Sequence, residues 1–166
     1  MKALKIGELT ARIPVIQGGM GVGISLSGLA GSVAACGGVG VISTAQIGYR
    51  DPEFEKDPIK TNLRVIGEEI QKAREIAKGG ILGVNIMVAL KHYRQHIETA
   101  VEAGADVIIC GAGLPADLPG PEGAPAPVPT VRTGPGRGWP CGMPDAGSAT
   151  ARRHGRCPRR ACGRRC

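Results

Sequence analysis

Between Pro14 and Gly113 the apolar positions alternate between short continuous runs and helical stripes. Pro14-Val15-Ile16-Gln17 is short and apolar enough to predict a first strand buried on both faces. Leu26, Leu29, Ala30, Val33 and Ala34 follow the i, i+3, i+4, i+7, i+8 spacing of one helix face, with Ser25 as its expected cap and Gly37-Gly38 as its stop. Residues 39–45 predict a second strand. Residues 46–62 read as an irregular loop, with Asp51-Pro52 and Asp57-Pro58 as turn signals. Leu63, Ile66, Ile70, Ala73 and Ala77 mark a second helix, in which Glu68 and Lys72 are spaced for an i,i+4 pair. Gly79-Gly80 ends it. A third strand follows over 81–88, a third helix over 93–103 and a fourth strand over 107–110, running into Gly111-Ala112-Gly113.

The order β-α-β-α-β-α-β implies a parallel sheet. Periodicity leaves both an open sheet and part of a barrel available.

At Pro119 the pattern stops. Residues 119–166 contain no Leu, Ile, Phe, Tyr, Asn, Gln or Lys and are dominated by Arg, Pro, Gly and Ala. That mixture offers too little apolar side chain to offset ordering entropy, so a disordered tail is expected. The four dominant residue types all have codons that begin with two G or C bases, so an out-of-frame reading of a GC-rich gene past about codon 120 would yield this segment. The division expected is a partial barrel at 1–118 and a basic Arg/Pro/Gly-rich tail at 119–166.

Charge sharpens the division. The chain of 166 residues carries a formal net charge of +7, yet residues 1–118 are neutral and the whole excess falls in the tail. Arg152-Arg153, Arg159-Arg160 and Arg164-Arg165 would bind polyanions in a salt-dependent way, which keeps a basic-tailed nucleic-acid-binding protein as the alternative of another class. The absence of patterned aromatics around these arginines counts against it. His154, Cys157, Cys162 and Cys166 match no common zinc spacing, so no metal site is expected. No apolar run approaches the roughly 20 residues of a membrane span, and the N-terminus lacks signal-peptide features. A cytoplasmic body with no membrane partner is expected. Cys36 and Cys110 sit in apolar patterns and read as buried thiols.

The candidate chemistry centres on Gln17-Gly18-Gly19-Met20-Gly21-Val22-Gly23. A strand that ends in a glycine turn before a helix is where α/β proteins commonly hold a cofactor. Gly19-x-Gly21-x-Gly23 departs from the dinucleotide fingerprint, and the second strand ends in Ser43-Thr44-Ala45-Gln46 without the acid that would hold a ribose. A flavin or phosphate cradle fits better; a purely structural tight turn is the bland reading. Asn85 and Met87 lie two apart on the third strand and point to the same side. Asn85 interrupts an apolar run, so it needs partners if buried. Neighbouring backbone or a flavin pyrimidine edge would both serve. His92 and His96 read as solvated helix residues, and Asp106 as a capping or surface carboxylate.

Residues 1–118 resemble the nitronate monooxygenase family, formerly the 2-nitropropane dioxygenases. The resemblance runs through Pro-Val-Ile-Gln-Gly-Gly-Met-Gly at 14–21, Ala-Cys-Gly-Gly-Val-Gly-Val-Ile-Ser at 35–43, Gly-Val-Asn-Ile-Met-Val-Ala at 83–89 and Glu-Ala-Gly-Ala-Asp-Val-Ile-Ile-Cys-Gly-Ala-Gly-Leu-Pro at 102–115. It implies the N-terminal half of a TIM-type (β/α)8 barrel, about four βα units, that binds FMN. It also implies an FMN-dependent oxidoreductase, a monooxygenase that oxidises alkyl nitronates with O2 to a carbonyl compound and nitrite. Flavin-dependent enoyl-acyl carrier protein reductases share these segments and are the alternative. By resemblance, Gly19, Met20, Gly21, Asn85 and Met87 would contact the flavin. The family's catalytic histidine, in a Gly-His loop of the later half, has no counterpart here, so no catalytic residue is assigned. A truncated, inactive chain with free sheet edges is expected, and such edges invite aggregation.

Overall fold

The computed structural model describes residues 1–113 and 130–132, all within the unit Met1–Gly134. Its elements are β1 (Leu4–Ile6), β2 (Leu9–Ala11), α1 (Ser27–Ala35), β3 (Val39–Ser43), α2 (Pro58–Ala77), β4 (Ile81–Met87), α3 (Tyr93–Glu102), β5 (Val107–Gly111) and β6 (Thr130–Arg132). The fold is mixed α/β. Strands β3, β4, β5 and β6 are neighbours in that order, all parallel, and Ile16 bridges Val39 in parallel on the outer side of β3.

Because every next strand is added on the same side, the helices gather on one sheet face. Ala30 and Ala34 of α1, Ile66, Ile70 and Ala73 of α2, and Ile97 and Ala100 of α3 share one core with Ile42, Leu82, Val84, Ile86, Ile108 and Cys110. The alternating positions Val39, Val41, Val107 and Ile109 form a second cluster on the other face, where Ala11 and the partly buried Leu4, Ile6 and Leu9 join them. The β1–β2 hairpin therefore covers the part of this face nearest the start of the strands. Its Leu-Lys-Ile and Leu-Thr-Ala runs alternate about Gly7-Glu8, with Gly7 at φ 58°. The sequence reading missed this hairpin.

Several expectations are corrected. The 14–17 segment is extended and bonded to β3, through Gln17 N–H to Val39 O and Val39 N–H to Val15 O, but it is not buried on both faces. Val15 and Ile16 remain 51% and 42% exposed, because among the described residues no strand lies on their outer side. In α1 the buried side is Ala30, Gly31 and Ala34, whereas Leu29 is exposed. The helix sits so close to the sheet that small residues must face inward. Helix α2 starts at Pro58, five residues before the apolar stripe, because Asp57 caps it through Lys60 N–H and proline occupies its first turn. Glu68 pairs with Arg64, and Lys72 with Glu69, in place of a Glu68–Lys72 pair. Cys36 is exposed while Cys110 is buried.

Strand β6 lies in the segment expected to have no pattern; the free edge of β5 supplies main-chain hydrogen-bonding groups that need none. The remainder of the expected tail, with its boundary at Leu118 and its His154, Cys157, Cys162 and Cys166, lies outside the described residues. Among the described residues no helix is long and apolar enough to cross a membrane.

Candidate functional site

The glycine turn lies over the carboxyl ends of β3 and β4, and polar side chains pin it there. After Gln17 N–H bonds Val39 O, the main chain turns away and the Gln17 carboxamide takes over the ladder. Its Nε2 donates to Val41 O at 3.0 Å and its Oε1 accepts from Val41 N–H at 3.2 Å. Ser25 is almost fully buried inside the turn, where its Oγ accepts from Met20 N–H at 2.9 Å and from Gln17 Nε2 at 3.1 Å. Val22 N–H reaches Ala45 O at 2.7 Å, and Val22 and Gly23 take φ 54° and 69°.

Ser25 thus holds the turn and does not cap α1, as its place before the helix suggested. Leu26 is the N-cap residue and makes no side-chain bond there. Glu69 of α2 serves α1 instead, its Oε2 accepting from Ser27 N–H at 2.8 Å. Burial alone would raise the Glu69 carboxyl; the Ser27 hydroxyl and N–H and the Lys72 ammonium outweigh it, leaving the pKa below its usual value.

The five residues expected to face a ligand divide as follows. Gly19 and Asn85 are brought together: a Cβ on Gly19 would lie 2.6 Å from Asn85 Cβ and 3.1 Å from its Nδ2. Gly21 packs on Ala45, where a Cβ would stand 2.9 Å from the alanine methyl and 3.0 Å from its carbonyl oxygen. Met20 and Met87 leave 47% and 37% of their surface in solvent. Asn85 and Met87 occupy the same sheet face, as their spacing required, with Ser43 and Ile109 as the neighbours of Asn85 in the ladder and Gly111 beside Met87. The carboxamide of Asn85 is half-buried and makes no hydrogen bond among the described residues. No backbone group among the described residues satisfies it.

His96 corrects another expectation. It is buried, 5% exposed, and its Nδ1 lies 3.2 Å from Thr44 Oγ1; the amphipathic stripe of α3 includes it because Ile97 and Ala100 face the same core. Burial, and secondarily the nearby His92, holds its pKa below the ordinary 6.5. The unfolded chain therefore takes up this proton first as pH falls. Stability should be complete above about pH 6.5 and decline below it, down through the folded-state value. Urea midpoints measured between neutral and mildly acidic pH check this; His96→Asn should flatten the slope, and an unchanged slope would refute the assignment. Asp106 is more than a surface carboxylate: its Oδ2 accepts from Leu82 N–H at 2.8 Å and pairs with Arg74 at 2.6 Å, tying β4 to the start of β5. Among the described residues no cluster of three His, Cys, Asp or Glu could hold a metal ion.

A sheet that adds its strands in chain order, with helices on one face and a glycine turn beside a polar group at the strands' carboxyl ends, defines an α/β protein of the parallel βα-repeat class. The chain belongs to the nitronate monooxygenase family, whose model matches residues 2–120. No curated protein matches it. Among solved structures it is similar to FabK from Thermotoga maritima, with 24% identity and a TM-score of 0.46. That likeness takes in 61% of this chain and 28% of the other.

Proposed function

We propose that the chain is the N-terminal half of a TIM-type barrel that holds FMN at the carboxyl ends of its strands, and that the reaction such a barrel serves is the oxidation of alkyl nitronates by O2, with no catalytic residue assigned to this half. β3, β4 and β5 supply three successive parallel strands, the 14–17 segment bridges β3 in parallel on its outer side, and the helices between them stay on one face, as in the outer ring of such a barrel. Family membership supports the flavin and the oxidoreductase class. The observation that carries the reading is Asn85. A half-buried carboxamide that uses neither donor nor acceptor among the described residues suits the alternating donors and acceptors of a flavin pyrimidine edge.

Each residue then has a task. Asn85 would bond the ring edge, with Gly19 and Gly21 holding the turn low enough to leave it room. Met20 and Met87 would supply polarizable apolar surface for the ring face. When bound, the flavin supplies the electron acceptor for conversion of the nitronate to a carbonyl compound and nitrite. No Gly-His motif occurs in the 166 residues, so the residues present hold and orient the ring and none is assigned a proton-transfer role.

The test is titration of the full chain with FMN, followed by quenching of flavin fluorescence. Saturable binding is expected, weakened about tenfold by Asn85→Leu, which keeps the volume and removes the equivalent of one or two net hydrogen bonds. Absence of binding, or equal affinity in the variant, would overturn the assignment.

A further inference from the structure

We propose that Thr44 and His96 form a positioning pair that fixes the Asn85 backbone from the helix side of the sheet, so that the carboxamide on the opposite face meets its ligand in one orientation. The inference deepens the flavin reading above and rests on it. Ser43 and Asn85 form the last pair of the β3–β4 ladder. One residue further on, Thr44 closes the last rung of that ladder through its N–H and adds a hydroxyl to the same oxygen. Its N–H donates to Asn85 O at 3.1 Å and its hydroxyl lies 3.4 Å from the same oxygen. Thr44 is fully buried, and its Oγ1 has His96 Nδ1 on the other side at 3.2 Å.

Proton placement follows from these contacts. The hydroxyl has one hydrogen. Directed at Asn85 O, it leaves a lone pair facing His96, and Nδ1 must then carry the ring proton and donate. The series His96 Nδ1–H to Thr44 Oγ1–H to Asn85 O uses every donor once. The other tautomer would turn the hydroxyl toward the imidazole and leave Asn85 O with the Thr44 N–H alone. Burial favours the neutral ring, so the relay needs no charge. Neither residue lies on the ligand face, which makes them positioning residues and not ligand contacts.

The pair is tested in the full chain by FMN titration combined with urea midpoints. Thr44→Val and His96→Leu should each weaken FMN binding about fivefold to tenfold, the equivalent of one net hydrogen bond. The double variant should be no weaker than Thr44→Val alone, since both interrupt one series. Thr44→Ser restores the hydroxyl, and His96→Asn places an amide N–H near the former Nδ1; both should recover affinity. A purely structural role would lower the urea midpoint while leaving the affinity of the folded fraction unchanged, and that result overturns the proposal. So does additivity in the double variant. Should the parent chain bind no FMN, the flavin reading fails separately, and amide exchange at Thr44 decides the pair. Faster exchange in His96→Leu but not His96→Asn upholds it, and equal exchange in both refutes it.

Discussion

Gly40→Ala is expected to abolish the folded state or lower its urea midpoint sharply. Gly40 is on the helix face of β3, at the point where α1 crosses the strand. A methyl group there would overlap the carbonyl oxygen of Ala30 and lie 2.6 Å from its carbonyl carbon. These are main-chain atoms inside a helix, so no rotamer change relieves the overlap. α1 has no room to retreat either. Beside that contact Gly31 packs against α2, where a Cβ would stand 2.6 Å from Ile76 Cβ. Overpacking of a core costs roughly 1–3 kcal/mol where side chains can yield, and a backbone collision belongs at or above the top of that range. For a small domain that is a large share of total stability. The control is Gly67→Ala in α2, where a Cβ meets nothing within 4 Å; there alanine should be neutral or stabilising by about 0.5–1 kcal/mol. Urea midpoints of the two variants decide the matter. An unchanged midpoint for Gly40→Ala would show that α1 does not sit where the structure has it.

The same crowding explains what was legible in the sequence. The long stripe of α2 and the apolar runs of β3, β4 and β5 could be read because large side chains bury against a sheet and leave a period. α1 misled for the opposite reason. Its contacts are made by Ala30, Gly31 and Ala34, which carry little hydrophobic signal, while Leu29, which carries more, faces solvent. The hairpin had a signal, alternation around Gly7-Glu8, but its strands have three residues each, too few for a period to stand out.

At the site, the turn and Asn85 were legible because glycines and a polar residue in an apolar run are conspicuous. The groups that hold them were not. Glu69 reaches Ser27 across 42 positions, Gln17 reaches Val41 across 24 and His96 reaches Thr44 across 52. Such pairings have no local spacing rule; they exist only once the sheet has brought the segments together. His96 shows this most clearly. On its own helix it looked like half of a solvated pair, and only the position of β3 makes it a buried partner.

Replacing Gly19 with alanine is expected to raise the FMN dissociation constant at least about tenfold, and the reason is packing against Asn85 rather than direct ligand approach. The added methyl would meet Asn85 Cβ at 2.6 Å and its Cγ at 3.0 Å. Asn85 cannot easily yield, because its carbonyl is held by Thr44 on one side and its strand is paired on both edges. The turn must therefore lift, carrying Met20 with it, or the carboxamide must rotate away from its ligand. Either outcome separates groups that act together, with a stability loss of roughly 1–3 kcal/mol. Gly18→Ala isolates the cause. Gly18 adjoins Gly19 in the same turn, its φ is not positive, and a Cβ there meets nothing within 4 Å. Stability and affinity should both stay near those of the parent, within about 0.5 kcal/mol. If Gly18→Ala lost as much affinity as Gly19→Ala, bare main chain along the whole turn would be the requirement. If Gly19→Ala bound FMN like the parent, Asn85 would not be the group the turn is built to frame.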